Sequence, residues 1–205
     1  MTARGCGRRL RSGCGRSGDT VRPREAVIHP RRGPAPVCSW RLAGEGRLTA
    51  PDPARWVLHP NPVWAGRVDF VADAMIAEEP TSPLRFEQLL FRDLGDGLHQ
   101  LCCIPFFTYG WSLGDGVRLE EREGVGPTPT AVLERSAFWV LRAFVESDDA
   151  AAALLELLQR NDALVETRGR LVAFAVEGAQ RLAAVREELE ALQRPGFLSY
   201  ETGWL

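Results

Sequence analysis

The spacing of apolar positions changes character along this chain, and the changes mark its elements. Residues 1–58 show no sustained period of 2 or 3.6, so no strand or helix is predicted there. From His59 onward the pattern becomes regular. Residues 66–71 alternate toward a short strand. Residues 86–93 and 98–104 form two apolar runs joined by Gly95-Asp96-Gly97, a strong hairpin signal. Strand character continues over 117–121 and 131–134, with the turn-rich Gly124-Val125-Gly126-Pro127 between them. Residues 138–145 are apolar on both faces apart from Arg142, as expected of a central strand covered on at least one side.

Two helices follow from period and capping. Ser147 is placed to cap a helix whose first turn carries Asp148 and Asp149, where the dipole favours negative charge. Ala151, Leu154, Leu155 and Leu158 would form its buried stripe. A second helix is predicted after Gly178, with Leu182, Val185, Leu189 and Leu192 inward and Pro195-Gly196 ending it. Strands at 163–166, 171–176 and 197–200 complete a β-α-β-β-α-β order, the ferredoxin-like arrangement. The expectation is an α+β body: a small antiparallel subdomain or partial barrel over 59–127, and a ferredoxin-like subdomain over 128–205.

Composition changes the reading of the first 58 residues. Of 205 residues, 45% are hydrophobic and 25% charged, as in an ordinary globular chain, and all 25 basic residues are arginine. Eleven arginines fall in residues 1–47 against Asp19, Glu25 and Glu45, so a basic arm precedes an acidic body. Rich in arginine, glycine and proline, residues 1–58 are expected to be disordered, because they bury too little apolar surface to offset ordering entropy. They are either a solvated extension or a leader translated from a start set too early. An arm of this charge also offers a route to nucleic acid through counterion release, although few aromatic residues stand among its arginines to stack on bases.

No apolar run approaches the roughly 18 residues that a membrane helix needs, and no h-region follows Arg8 and Arg9. Five cysteines (Cys6, Cys14, Cys38, Cys102 and Cys103) form no disulfide framework, so a reducing cytoplasm is the expected compartment.

Candidate chemistry is sparse. Gly110-Trp111-Ser112-Leu113-Gly114 formally matches a nucleophile elbow, but a strand is predicted after it rather than a helix. His29, His59 and His99 also all precede the serine. The expectation is a glycine-flanked loop, with no catalytic residue assigned. His59, His99, Cys102 and Cys103 are metal-ligand types, but adjacent residues on a strand point to opposite faces. Cys103 would then share a face with His99 while Cys102 faces away. No metal and no cofactor are expected, and without lysine there can be no Walker A loop. Carboxylates at Asp93, Asp96, Asp115, Glu120 and Glu121 sit beside predicted turns and strand ends, where acids serve turn geometry and solubility. The densest aromatic segment runs over 104–111. It is read either as a corner of the core or as a partner-binding wall, with Phe106, Phe107, Tyr109, Trp111, His99, Cys103 and Asp115 as the candidate binding residues.

Several of these pieces fall in a familiar order. Cys102-Cys103-Ile104-Pro105-Phe106-Phe107, Tyr109 and Leu113-Gly114-Asp115 resemble the signature of a bacterial family known as domain of unknown function 4265. His59-Pro60-Asn61-Pro62-Val63-Trp64, Phe86-Glu87-Gln88-Leu89, Leu171-Val172-Ala173 and Tyr200-Glu201-Thr202-Gly203 extend the likeness over about 59–205. Trp111-Ser112 and Phe138-Trp139 depart from it. The resemblance implies a fold and a boundary near residue 59, and carries no activity or catalytic residues.

Three functions are compatible with this pattern. The leading one is a non-enzymatic module that binds or regulates a protein partner. The others are a nucleic-acid binder acting through the arginine-rich arm, and a thiol- or metal-dependent enzyme or sensor at His99 and Cys103. Oligomeric state and partner identity are not readable at this level.

Overall fold

The computed structural model describes residues 55–76, 83–123 and 125–203, all within the compact unit Leu48–Leu205. It is an α+β structure of two sheets. The expectations for the arginine-rich arm fall almost wholly outside the described residues.

The six-stranded sheet contains β1 (Trp56–Val57), β2 (Phe70–Met75), β3 (Phe86–Gly95), β4 (Leu98–Leu101), β5 (Gly116–Arg122) and β6 (Gly126–Glu134). Antiparallel pairing runs β2-β3-β4-β5-β6, β1 joins β3 in parallel, and β6 returns beside β2 to give a partial barrel. The β3–β4 hairpin turns through Gly95, Asp96 and Gly97, all at positive φ (85°, 52° and 75°), which explains two glycines around an aspartate. Inward positions Leu89, Phe91, Leu101, Cys103 and Val117 fill this sheet's core with Ala72 and Ala74.

The four-stranded sheet has the order β10-β7-β9-β8, with every pair antiparallel: β7 (Phe138–Val145), β8 (Leu164–Arg168), β9 (Leu171–Glu177) and β10 (Leu198–Thr202). Helix α1 (Asp148–Arg160) follows β7 and α2 (Ala179–Leu192) follows β9, and both contribute to the core on one face of the sheet. The Ser147 hydroxyl accepts from the Ala150 N–H at 3.1 Å and caps α1, with Asp148 and Asp149 in the first turn. Leu141, Ala143, Val145, Phe174 and Val176 meet Ala150, Leu154, Leu157, Leu158, Val185 and Leu189 in that core.

Five details differ from the sequence reading. The body begins earlier than residue 59, since Trp56 and Val57 pair with β3 and Val57 is fully buried; a two-residue strand is too short to show a period. Residues 65–67 form a short 3-10 turn, so the expected strand at 66–71 starts instead at Phe70. The buried stripe of α1 is Ala150, Leu154, Leu157 and Leu158, while Leu155 is exposed, because the helix lies on the sheet rotated from the expected face. Strand β6 belongs entirely to the first sheet, so the change of sheet comes after Glu134 rather than at residue 127.

The fifth difference bears on chemistry. The strand expected over 98–104 ends at Leu101. Cys102 N–H still donates to the Leu90 carbonyl of β3, but from Ile104 onward backbone N–H groups find side-chain carboxylates: Ile104 N–H meets Glu166, and those of Phe106, Phe107 and Thr108 meet Glu87. The argument that Cys102 and Cys103 diverge as neighbours on a strand therefore does not apply. Among the described residues no helix is long and apolar enough to cross a membrane.

Candidate functional site

The second face of the four-stranded sheet packs toward the first sheet through Val57, Ile104, Phe106, Leu113, Val140, Ala173 and Ala175. Three buried ionisable residues meet at this junction. Inward alternation on β3 puts Glu87 in line with Leu89 and Phe91, and β8 presents Glu166 from the other sheet. His59, two residues past β1, stands between them. Its Nδ1 is 2.5 Å from Glu166 Oε2 and its Nε2 is 3.2 Å from Glu87 Oε1. A ring that faces carboxylates at both nitrogens must carry a proton on each, so it is an imidazolium.

Burial alone would lower the His59 pKa, but Cys103 beside it and the hydrogen bonds to Glu166 and Glu87 outweigh this and push it up to about 12. Burial would likewise raise the Glu87 carboxyl. His59 and the donors from Thr108 and Phe106 hold it below the usual carboxylate range instead.

Both acids are saturated with donors. Glu87 accepts from His59, from three consecutive N–H groups (Phe106 at 2.5 Å, Phe107 at 3.1 Å, Thr108 at 2.7 Å) and from the Thr108 hydroxyl at 2.7 Å. Glu166 accepts from His59, from Val63 N–H at 3.1 Å and from Ile104 N–H at 2.9 Å. Arg142, fully buried on β7, holds the same loop by its carbonyls: Nε donates to Pro105 at 3.1 Å and Nη2 to Thr108 at 2.7 Å, with the Tyr109 ring 4.4 Å over the guanidinium. Glu87 thus grips the donors of residues 106–108 while Arg142 grips the acceptors of 105 and 108. Two cations and two acids balance the interior charge, which is the condition under which such groups tolerate burial.

The sequence-named residues divide between this interior and the surface. Phe106 is buried and stacks on His59 at 4.8 Å between ring centres. Cys103 is fully buried; its neighbouring imidazole is that of His59, its sulfur accepts from Leu90 N–H, and burial pushes its thiol up. Cys102 donates to the Gln100 carbonyl, and burial pushes it up to about 11. His99 lies on β4 with its ring edge-on to Phe70 at 5.2 Å. Asp115 is a buried pin that accepts from Ser112 N–H, Ser136 N–H and Arg135. Ser112 lies in the loop between β4 and β5, and its buried hydroxyl has no hydrogen-bond partner.

Phe107, Tyr109 and Trp111 come together differently. They line an open groove of about 340 Å³ with Met75 and Ile76 from the end of β2 and Pro129 of β6. Met75 and Tyr109 are its exposed members. The Tyr109 hydroxyl donates to Glu201 at 2.5 Å, which fixes the ring over Arg142.

Sequence reasoning missed Glu87, Glu166 and Arg142, and considered His59 only as a metal ligand. Two signals pointed to them: Glu87 occupies an inward position of an alternating strand, and Arg142 interrupts an apolar one. Among the described residues no set of three or more His, Cys, Asp or Glu side chains is arranged to hold a metal ion.

A partial barrel joined through a buried imidazolium to a helix-covered antiparallel sheet defines the class: an α+β protein with a charged seam between its sheets. The sequence model of the family described as Domain of unknown function (DUF4265) matches residues 87–200, more than half of the chain, and the protein belongs to that family. A solved structure described as a "Novel crystal structure of a hypothetical protein from Neisseria gonorrhoeae" is similar in fold, with a TM-score of 0.54 at 18% identity. The match covers 66% of this chain and 96% of that one. No curated protein matches.

Proposed function

We propose that this protein is a non-enzymatic, cytoplasmic module that binds or regulates a protein partner through the groove of Phe107, Tyr109 and Trp111. The observation that carries the reading is the contrast between that open groove, within the size range of binding clefts, and a charged cluster whose imidazole and two carboxylates are already engaged with one another. General acid–base work needs an imidazole with a nitrogen to spare, and both nitrogens of His59 are committed to carboxylates. The adjacent free thiols of Cys102 and Cys103 support a reducing compartment. The β-α-β-β-α-β order, with sheet order β10-β7-β9-β8, supports a ferredoxin-like C-terminal half, a scaffold that many binding proteins use.

The test is capture from native lysate with the full chain as bait, run beside Met75→Glu, which puts a charge at the exposed rim. A partner held in stoichiometric amount by the native chain and lost from the variant is the expected outcome. No partner, or equal capture by both baits, would refute the reading.

A further inference from the structure

The two sheets end on edges of different kinds. Strand β6 carries Pro127 and Pro129, which lack the N–H that a further strand would need. On β10, Leu198 already exchanges backbone hydrogen bonds with Arg194 at 3.2 and 3.3 Å. Strand β8 has neither protection: among the described residues only β9 pairs with it, and it carries no proline.

Which of its backbone groups face outward follows from its neighbours. Val145 N–H donates to the Arg170 carbonyl at 3.0 Å, so even-numbered positions of β9 turn toward β7 and odd-numbered ones toward β8. Leu171, Ala173 and Ala175 therefore bond Arg168, Glu166 and Leu164, and the N–H and C=O groups of Val165 and Thr167 point out of the sheet's edge. Thr167 and Arg168 are exposed. Against the same edge lies a cavity of about 100 Å³, lined by Pro60, Asn61, Phe106, Val165, Glu166 and Thr167. One water needs about 10–15 Å³ of such space, so there is room for a group of several heavy atoms. The buried Glu166 at its wall accepts three hydrogen bonds, one fewer than the roughly four lone-pair sites of a carboxylate.

We propose that β8 pairs with β8 of a second copy of this chain, antiparallel and centred on Thr167, joining two four-stranded sheets into one of eight strands. In that register the two Thr167 residues exchange N–H···O=C hydrogen bonds across a twofold axis. Each Glu166 then stands directly opposite the second copy's Arg168 on the cavity side of the sheet, and that guanidinium enters the cavity to meet the carboxylate. Charge selects this register over its neighbours. Centring one residue earlier would set the two Glu166 carboxylates opposite each other, and one residue later the two Arg168 guanidiniums. The pairing goes beyond the function proposed above and does not depend on it.

Sedimentation of the full chain over a concentration series tests the pairing. The native chain is expected at dimer mass at the upper end of the series. Thr167→Pro removes an outward N–H that β9 does not use, and should give monomer with an unchanged far-ultraviolet circular dichroism spectrum. Arg168→Glu turns both opposite-charge pairs into like-charge pairs and should raise the dimer dissociation constant at least about tenfold. Cross-linking reads the register, in a full chain carrying Cys6→Ser, Cys14→Ser and Cys38→Ser so that the buried Cys102 and Cys103 are the only native thiols. Under a mild oxidant Thr167→Cys should give a disulfide-linked dimer, because its two copies face each other at about 5.5 Å between Cα atoms. Val165→Cys should not, because its two copies stand four residues apart along the strands, about 13 Å. A native chain at monomer mass throughout would overturn the proposal. So would a Thr167→Pro or Arg168→Glu variant as dimeric as the native chain, no cross-link at Thr167→Cys, or an equal cross-link at Val165→Cys.

Discussion

The two faces of the four-stranded sheet are held by different physics. Toward the helices, Leu141, Ala143, Val145, Phe174 and Val176 meet the apolar side chains Ala150, Leu154, Leu157, Leu158, Val185 and Leu189. Toward the other sheet, Arg142 and Glu166 stand among Val140, Ala173 and Ala175, and the contact is completed by His59 and Glu87. The helix face gains from burying area and tolerates many apolar substitutions of similar volume. The seam face depends on a particular set of charges and donors, where losing one member leaves the rest buried and unpaired. Non-directional burial suffices to put helices on a sheet, whereas the seam also sets the path of a loop that has no strand to pair with.

The sharpest way to break this contrast is Glu87→Ala. It strips His59 of one counter-charge and leaves three N–H groups and the Thr108 hydroxyl without their acceptor. A loss of about 3–5 kcal/mol in denaturant unfolding is expected. A loss under about 1 kcal/mol would mean that the seam is not a charged lock.

Leu154→Ala on the helix face should cost about 2–5 kcal/mol through transfer and cavity terms. The decisive difference is in pH dependence. The His59 contribution is complete below the unfolded value of 6.5 and declines as pH rises toward the folded value of about 12. The Glu87 contribution is complete above the unfolded value of 4.5 and is lost as pH falls through its depressed folded value. Stability of the native chain should therefore peak between about 4.5 and 6.5 with respect to this pair, and Leu154→Ala should shift that profile downward without changing its shape. Nitrogen-15 spectra of the imidazole should show both ring N–H groups still present at pH 8; titration of His59 near 6.5 would contradict the geometry.

The smallest effect belongs to the cap of α1. Ser147→Ala removes the acceptor of the Ala150 N–H and should cost about 0.5–2 kcal/mol at any pH. A pH-dependent cost there would mean that the two faces are coupled more tightly than their separate contacts indicate.

Elements with local causes were readable in the chain. The cap at Ser147, the hairpin through Gly95-Asp96-Gly97 and the order of strands and helices after residue 138 follow from residues within one turn or one strand of each other. The seam was not readable, because His59 finds its partners 28 and 107 positions away, at Glu87 and Glu166. Cys103 was paired with His99 by strand alternation. That logic failed because β4 stops at Leu101, and carboxylates from both sheets capture the backbone from Ile104 onward. Phe107, Tyr109 and Trp111 were singled out for their density alone, and nothing in their spacing showed Met75 and Pro129 across the groove.

Period, capping and turn chemistry act over a few residues, so the sequence by itself determined that this is an α+β chain, where most of its strands and helices fall, and which family it belongs to. Only the tertiary structure decided that one imidazole is doubly protonated between two acids and that an aromatic loop opens a groove. Charge balance and hydrogen-bond saturation are properties of groups brought together in space, and they have no signature in the order of the residues that supply them.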